Sequence, residues 1–409
     1  MKSSTPRSNR LHIGIFGRRN AGKSSLINAL TGQEAALVSD APGTTTDPVF
    51  KSMELHPVGP VVFIDTAGLD DEGELGKLRV ARTNDVISKT DLAILVMDAS
   101  AADDTFERKL LQKLQEADVP VITVKNKCDQ LRNSEIPASA EGCVFVSALT
   151  GEGIDRLRQS IVAAVSEENA PDHDASHSLL GSLVSTGDLV LLVMPQDIQA
   201  PKGRLILPQV QTIRELLDRN CSVMSTTSAG LKSALDSLNR APDLIVTDSQ
   251  CFGEVYKQKP EQSALTSFSI LMAAAKGDIN AFVDGVSVID NARTSLAQGG
   301  MPSPLRVLIA EACTHVPLNE DIGSVKIPRI LREAFGDQVT IDSVRGNDYP
   351  DADGLKEYDL IIHCGGCMFN RKAVLSRIAA AKAAGVPITN YGIFLAKMAG
   401  ILDKVDLPE

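Results

Sequence analysis

The sequence predicts an α/β protein built as three successive alternating blocks, and three observations predict it. Apolar runs of strand length recur between amphipathic helical patterns along most of the chain. A glycine-containing turn joins the first such run to the first helix. Polar stretches carrying Pro or Gly interrupt the alternation twice. At 409 residues the chain is too long for one core, and its length alone calls for two or three domains.

Residues 1–10 read as a flexible, polar N-terminus without the apolar stretch of a secretory signal. Residues 11–166 form the first block. Its strands are expected at Leu11–Phe16, Val61–Asp65, Leu92–Asp98, Val119–Lys125 and Val144–Ser147. Helical patterns follow at Ser24–Thr31, Arg79–Ser88, Thr105–Ala117 and Gly153–Glu167, an order that implies a parallel sheet covered on both faces. Residues 167–178 are polar, carry Pro171 and read as a linker. The second block, 179–265, runs through a strand at Leu189–Met194, a helix at Leu207–Asp218, a short strand at Ser222–Ser225, a helix at Ser228–Asn239 and a strand at Leu244–Thr247. A polar and helical region continues to about Gly285, and Ala292–Pro304 is a second boundary candidate. The third block, 266–409, holds strands at Arg306–Ala310, Val339–Val344, Asp359–His363 and Val386–Thr389. Helices are expected there at Ile327–Phe335 and Arg371–Ala384. Whether the last two blocks share a sheet stays open.

Charge and composition narrow the function. A net charge of −11 argues against nucleic acid as the main partner, and aromatics at 4% with no Trp leave little for base stacking. The longest apolar runs, Leu189–Met194 and Ile270–Ala275, are far short of a membrane span. Seven cysteines, an odd number with no short disulfide framework, fit a reducing cytoplasm.

Five short motifs in register then spell a GTP site. In the loop Gly17-Arg-Arg-Asn20-Ala21-Gly22-Lys23-Ser24, with Ser25 next, the glycines permit a turn whose N–H groups surround phosphates at a helix N-terminus. Lys23 supplies positive charge to the terminal phosphates, and Ser24 supplies a hydroxyl to Mg²⁺. In G-T-T-T-D, Thr45 is the expected switch hydroxyl for Mg²⁺, with Thr44 and Thr46 as close competitors. In D-T-A-G, Asp65 faces the Mg²⁺ shell and Gly68 offers an N–H to the terminal phosphate, so Lys23, Thr45 and Gly68 form the catalytic set. Asn126, Lys127 and Asp129 set base identity. The Asp129 carboxylate can accept from both guanine N–H groups, which adenine does not present together. Ser147 and Ala148 offer backbone contact to the guanine carbonyl. Position 69 is Leu, so the usual water-orienting Gln is absent and unaided hydrolysis should be slow; Asp70, Asp71, Glu72 and Glu74 are weak substitutes. Asn20 resembles the K⁺-binding Asn of potassium-activated, Era-like and tRNA-modification GTPases; the plainer alternative is an Asn that caps the turn.

A second constellation lies near the C-terminus. Cys313-Thr-His315 and His363-Cys364-Gly-Gly-Cys367 both follow predicted strands, at the sheet edge where ligands gather. Three readings compete: an iron–sulfur cluster on the three thiolates, a zinc held by the same cysteines with one histidine, and a disulfide between Cys364 and Cys367 alone. His315 and His363 are the candidate fourth ligands.

Together, the Era-like GTPase motifs, the middle block and the C-x-H … H-C-x-x-C tail resemble the [FeFe]-hydrogenase maturation GTPase family, HydF, over essentially the whole chain. The resemblance implies a [4Fe–4S] cluster on Cys313, Cys364 and Cys367 with an exchangeable fourth site. It implies a homodimer through the middle domain. It also implies a carrier that receives a diiron precursor from radical-SAM maturases and delivers it to apo-hydrogenase, with GTP as a switch on partner contacts. The alternative is an Era-like GTPase of tRNA modification or ribosome assembly with a structural zinc.

Overall fold

The computed structural model describes residues 6–31, 49–55, 58–66, 83–101, 103–131, 142–165, 178–194, 205–312, 321–346 and 348–408. It divides into two compact units, residues 1–176 and 177–409.

The first unit is a six-stranded sheet in the order β2-β3-β1-β4-β5-β6. These strands are β1 (Leu11–Phe16), β2 (Val49–Leu55), β3 (Gly59–Asp65), β4 (Leu92–Asp98), β5 (Val121–Asn126) and β6 (Cys143–Phe145). Strand β1 lies between two parallel neighbours and every residue in it is buried, which explains its unbroken apolar run. The sheet is mixed where the sequence predicts a parallel one. Strand β2 pairs antiparallel with β3 along its full length, from Val49 opposite Asp65 to Leu55 opposite Gly59. Its mix of apolar and polar residues suits an edge strand. Helices Lys23–Thr31 and Ile154–Val165 cover one face through Leu26, Ile27, Leu30, Leu157 and Ile161. Helix Thr105–Glu116 and helical residues 83–87 cover the other through Leu110, Leu114, Val86 and Ile87.

The second unit contains two four-stranded sheets whose pairings are all parallel, so the last two blocks do not share a sheet. The first has the order β10-β9-β7-β8, from β7 (Leu189–Val193), β8 (Ser222–Thr226), β9 (Leu244–Thr247) and β10 (Ala264–Ser267). Strand β10 falls inside the region read as helical; at four residues it leaves almost no periodic signal. Helix Ser287–Ala297 likewise runs into the stretch read as a boundary. The second sheet has the order β12-β11-β13-β14, from β11 (Leu305–Glu311), β12 (Val339–Arg345), β13 (Leu360–His363) and β14 (Ile388–Asn390). One apolar core joins both sheets, running from Leu191, Val193 and Ile245 to Ile309, Ile361 and Phe394. Helices Phe268–Lys276 and Tyr391–Met398 lie among these strands and carry buried Ile270, Leu271, Ile393 and Phe394.

Candidate functional site

In the first unit the phosphate loop follows β1 and opens helix Lys23–Thr31, and a helix N-terminus favours an anion. Gly17 and Gly22 hold φ of 145° and 89°, and a Cβ on Gly22 would sit 2.2 Å from Asn126 Nδ2. Asn20 stands at φ 63°, a left-handed conformation that Asn tolerates better than most residues, and its side chain is exposed. Buried Lys23 donates from Nζ to the carbonyls of Gly17 (2.9 Å) and Arg18 (2.8 Å). Arg18 pairs with Asp103 and Glu107 at 2.9 and 3.1 Å.

Ser24 Oγ donates to Asp65 Oδ2 at 2.6 Å. Burial raises the Asp65 carboxyl above its ordinary range, against the opposing pull of the Ser24 bond and the Lys23 charge. A hydroxyl beside a carboxylate that burial makes costly to ionise is a donor set suited to Mg²⁺. Thr45 and Gly68 lie outside the described residues.

The base-reading loops meet at Asn126, buried at the end of β5. Its Nδ2 donates to Ala21 O at 2.9 Å, and its Oδ1 accepts from Ala148 N at 3.0 Å. Lys127 adopts φ 66° and pairs with Asp98 at 2.7 Å. Asp129 is exposed, and Ser147 is fully buried with Oγ accepting from Thr150 N. The structure therefore brings Asn20, Ala21, Lys23, Ser24, Asp65, Asn126 and Ala148 around one loop.

In the second unit β11 and β13 are neighbours, with Ala310 opposite His363, so both chains leave the sheet at the same edge. Cys364 N donates to Ala310 O at 3.0 Å, and Cys364 Sγ accepts from Ala312 N (3.1 Å) and Gly366 N (3.4 Å). Gly366 takes φ 61°, the turn that brings its N–H back to the sulfur. Ala312 immediately precedes Cys313 in sequence; Cys313 and His315 lie outside the described residues. Cys364 and Cys367 line a cavity of about 190 Å³ together with Ser269, Met272, Glu311 and Tyr391. Burial pushes the Cys364 thiol up to about 11 and raises that of Cys367, whose rise the nearby Lys276 opposes. Two half-buried thiols with N–H groups aimed at one sulfur fit a thiolate-bound iron or zinc, whose charge would offset the cost of partial burial. Among the described residues no three metal-binding side chains converge.

His363 does not line the cavity. Its Nδ1 lies 2.6 Å from Cys364 O and its Nε2 3.1 Å from Arg377 Nη1, so the ring donates at Nδ1 and accepts at Nε2. Burial and Arg377 push its pKa down to about 3. With both nitrogens engaged, the expected role of His363 as fourth ligand finds no free donor atom in this arrangement. Sequence reasoning missed Lys276, whose Nζ donates to the carbonyls of Gly366 (3.4 Å), Cys367 (3.3 Å) and Phe369 (2.7 Å). A lysine closing an apolar helix before Gly277 reads as an exposed C-terminal cation; here burial lowers its pKa to about 8.

Comparison with known proteins fits each part. A 50S ribosome-binding GTPase model matches residues 12–127, a hydrogen maturase F dimerization domain residues 179–277, and a hydrogen maturase F tetramerization domain residues 280–406. The two hydrogen maturase F matches meet across residues 278–279, after helix Phe268–Lys276. Curated relatives include the tRNA modification GTPase MnmE of Nitrosomonas europaea, 37% identical over 155 residues that cover 37% of this chain and 34% of that protein. GTPase Der of Wolinella succinogenes is 36% identical over 167 residues, 37% of this chain and 35% of that one. The chain therefore spans about a third of the length of these relatives. Among solved structures, a probable GTP-binding protein engB is 26% identical over 38% of this chain and 99% of its own, at a TM-score of 0.32. The G domain of the T. maritima FeoB iron transporter is 27% identical over 38% and 99%, at 0.30. Both matches in the second unit are to modules described by the oligomers they form, a dimerization and a tetramerization domain. With a GTPase domain followed by both hydrogen maturase F modules, the chain belongs to the HydF family of hydrogenase-maturation GTPases.

Proposed function

We propose that this chain is a cytoplasmic, GTP-switched scaffold that holds a [4Fe–4S] cluster on Cys313, Cys364 and Cys367 and delivers a diiron precursor to apo-[FeFe]-hydrogenase. The observation that carries this reading is the pair Cys364 and Cys367 at one cavity, on the sheet edge shared by β11 and β13, within a hydrogen maturase F module. Such a cluster, with three thiolate ligands, supplies an iron whose fourth position can exchange. The chain's own part is to keep that position accessible and to hold the thiolates. The N–H groups of Ala312 and Gly366 stabilise charge on Cys364, and the cavity leaves room beside the sulfurs for cargo. His315 remains the histidine candidate for the fourth position.

At the other site, Lys23 would exchange the Gly17 and Arg18 carbonyls for the terminal phosphates of GTP. Ser24 and Thr45, with Asp65, would hold Mg²⁺; Gly68 would donate to the terminal phosphate; Asn20 would take K⁺. Asn126, Lys127 and Asp129 would select guanine. GTP can bias binding to radical-SAM maturases and hydrogenase only if it binds one arrangement of the homodimer better than another.

Anaerobic reconstitution with iron and sulfide, read by EPR after reduction, tests the cluster. We expect a cubane signal that C364S abolishes; stoichiometric zinc in anaerobically purified protein would reject it. Adding the chain to an extract that lacks it should restore hydrogenase activity, and equal activity without it would reject the carrier role. Replacing K⁺ by Na⁺ should slow GTP turnover; an unchanged rate would remove Asn20 from the mechanism.

A further inference from the structure

Lys276 ends helix Phe268–Lys276 within the residues matched by the dimerization module, yet its charge sits inside the cysteine loop of the next module. The side chain is buried. Its ammonium carries three N–H donors, and three carbonyls of one loop, Gly366, Cys367 and Phe369, lie within reach of it. This arrangement orients the loop's peptide groups. Gly366 turns its carbonyl to Lys276 while its N–H donates to Cys364 Sγ. A residue on one module thereby holds peptide groups on both sides of Cys367 in the loop of the other.

We propose that Lys276 is a positioning residue that pre-forms the Cys364–Cys367 loop for iron, so that the cluster site is built by both hydrogen maturase F modules. Two further residues of the same helix, Ser269 and Met272, line the cavity beside the cysteines. An unanchored loop would have to be ordered at the moment of metal uptake, and residues that hold ligands in place commonly affect metal retention as strongly as some ligands do. The inference rests on the cluster reading above but is separable from it by experiment.

Two measurements on the full-length chain test it. In metal-free protein, iodoacetamide labelling of Cys364 is followed at the peptide level. In reconstituted protein, iron release to a ferrous chelator is timed and the EPR g-values of the reduced cluster are recorded. K276M, which keeps the length but removes charge and donors, should label Cys364 about tenfold faster and release iron at least about tenfold faster, with shifted g-values. Cys367 is left out of the comparison because the same change removes the charge that favours its thiolate. K276R, which keeps both, should lie nearer the wild type. Thermal melts of the metal-free variants separate loop release from global unfolding; if K276M fails to fold, K276Q takes its place. Labelling and release equal to wild type in a folded neutral variant would overturn the assignment. A wild-type chain that binds no iron would sink the cluster reading instead, and the labelling comparison would still decide the role of Lys276.

Discussion

One buried amide, that of Asn126, ties the phosphate loop to the base-reading loop through Ala21 and Ala148. Replacing it with Ala leaves the Ala148 N–H and the Ala21 carbonyl without that partner. We expect N126A to destabilise the first unit by about 1–3 kcal/mol in urea unfolding and to weaken GTP binding. Lys23 is a different case, since its partners in the nucleotide-free loop are carbonyls that water could also serve. K23A should lower GTP hydrolysis by about 10² or more. Iron content after reconstitution should stay unchanged, because the cysteines belong to the other compact unit; joint loss would show that the units do not fold independently. At this scale the sequence made the nucleotide residues legible, because each motif has fixed spacing and a chemistry that few alternatives share. It made Cys364 and Cys367 legible for the same reason. Lys276 and Arg377 were hidden, since nothing local distinguishes a buried cation from a solvated one until the loop it serves has been folded around it.

Helices Leu207–Asp218, Ile327–Phe335 and Arg371–Ala384 have the ends that the sequence predicts, and local chemistry explains why. Pro208 and Pro328 stand in the first turns of two of them. Asn370 caps the third, and Gly385 ends it at φ 72°. Strands Val49–Leu55 and Ala264–Ser267 were missed because one is a half-polar edge and the other is short enough to be mistaken for a helix entry. Helix Ile279–Gly285 offers a test of capping. Asp278 accepts from Lys382 Nζ at 2.8 Å and from Ala281 N at 3.0 Å, and these bonds hold its carboxyl below the ordinary range. A carboxyl depressed on folding stabilises the fold above its unfolded pKa and loses that contribution as pH falls through the folded value. D278A should therefore cost about 1 kcal/mol at neutral pH. The gap to wild type should shrink below about pH 4, as measured by denaturant titrations across that range.

The whole chain is two compact units, and its stability should divide the same way. Calorimetry should resolve two transitions. A non-hydrolysable GTP analogue at about 100 times its Kd should stabilise the first by about 2.7 kcal/mol and leave the second in place. A single transition that moves as one would contradict this division. Within the second unit the line between the two hydrogen maturase F modules does not separate two sites. Phe268, Ser269 and Met272 from one side and Cys364, Cys367 and Tyr391 from the other enclose the same hollow. A chimera spliced at residues 277–280 from two relatives would inherit half of each parent's chamber, with walls never shaped to meet. Shuffling that leaves a self-contained domain intact would here break the vessel.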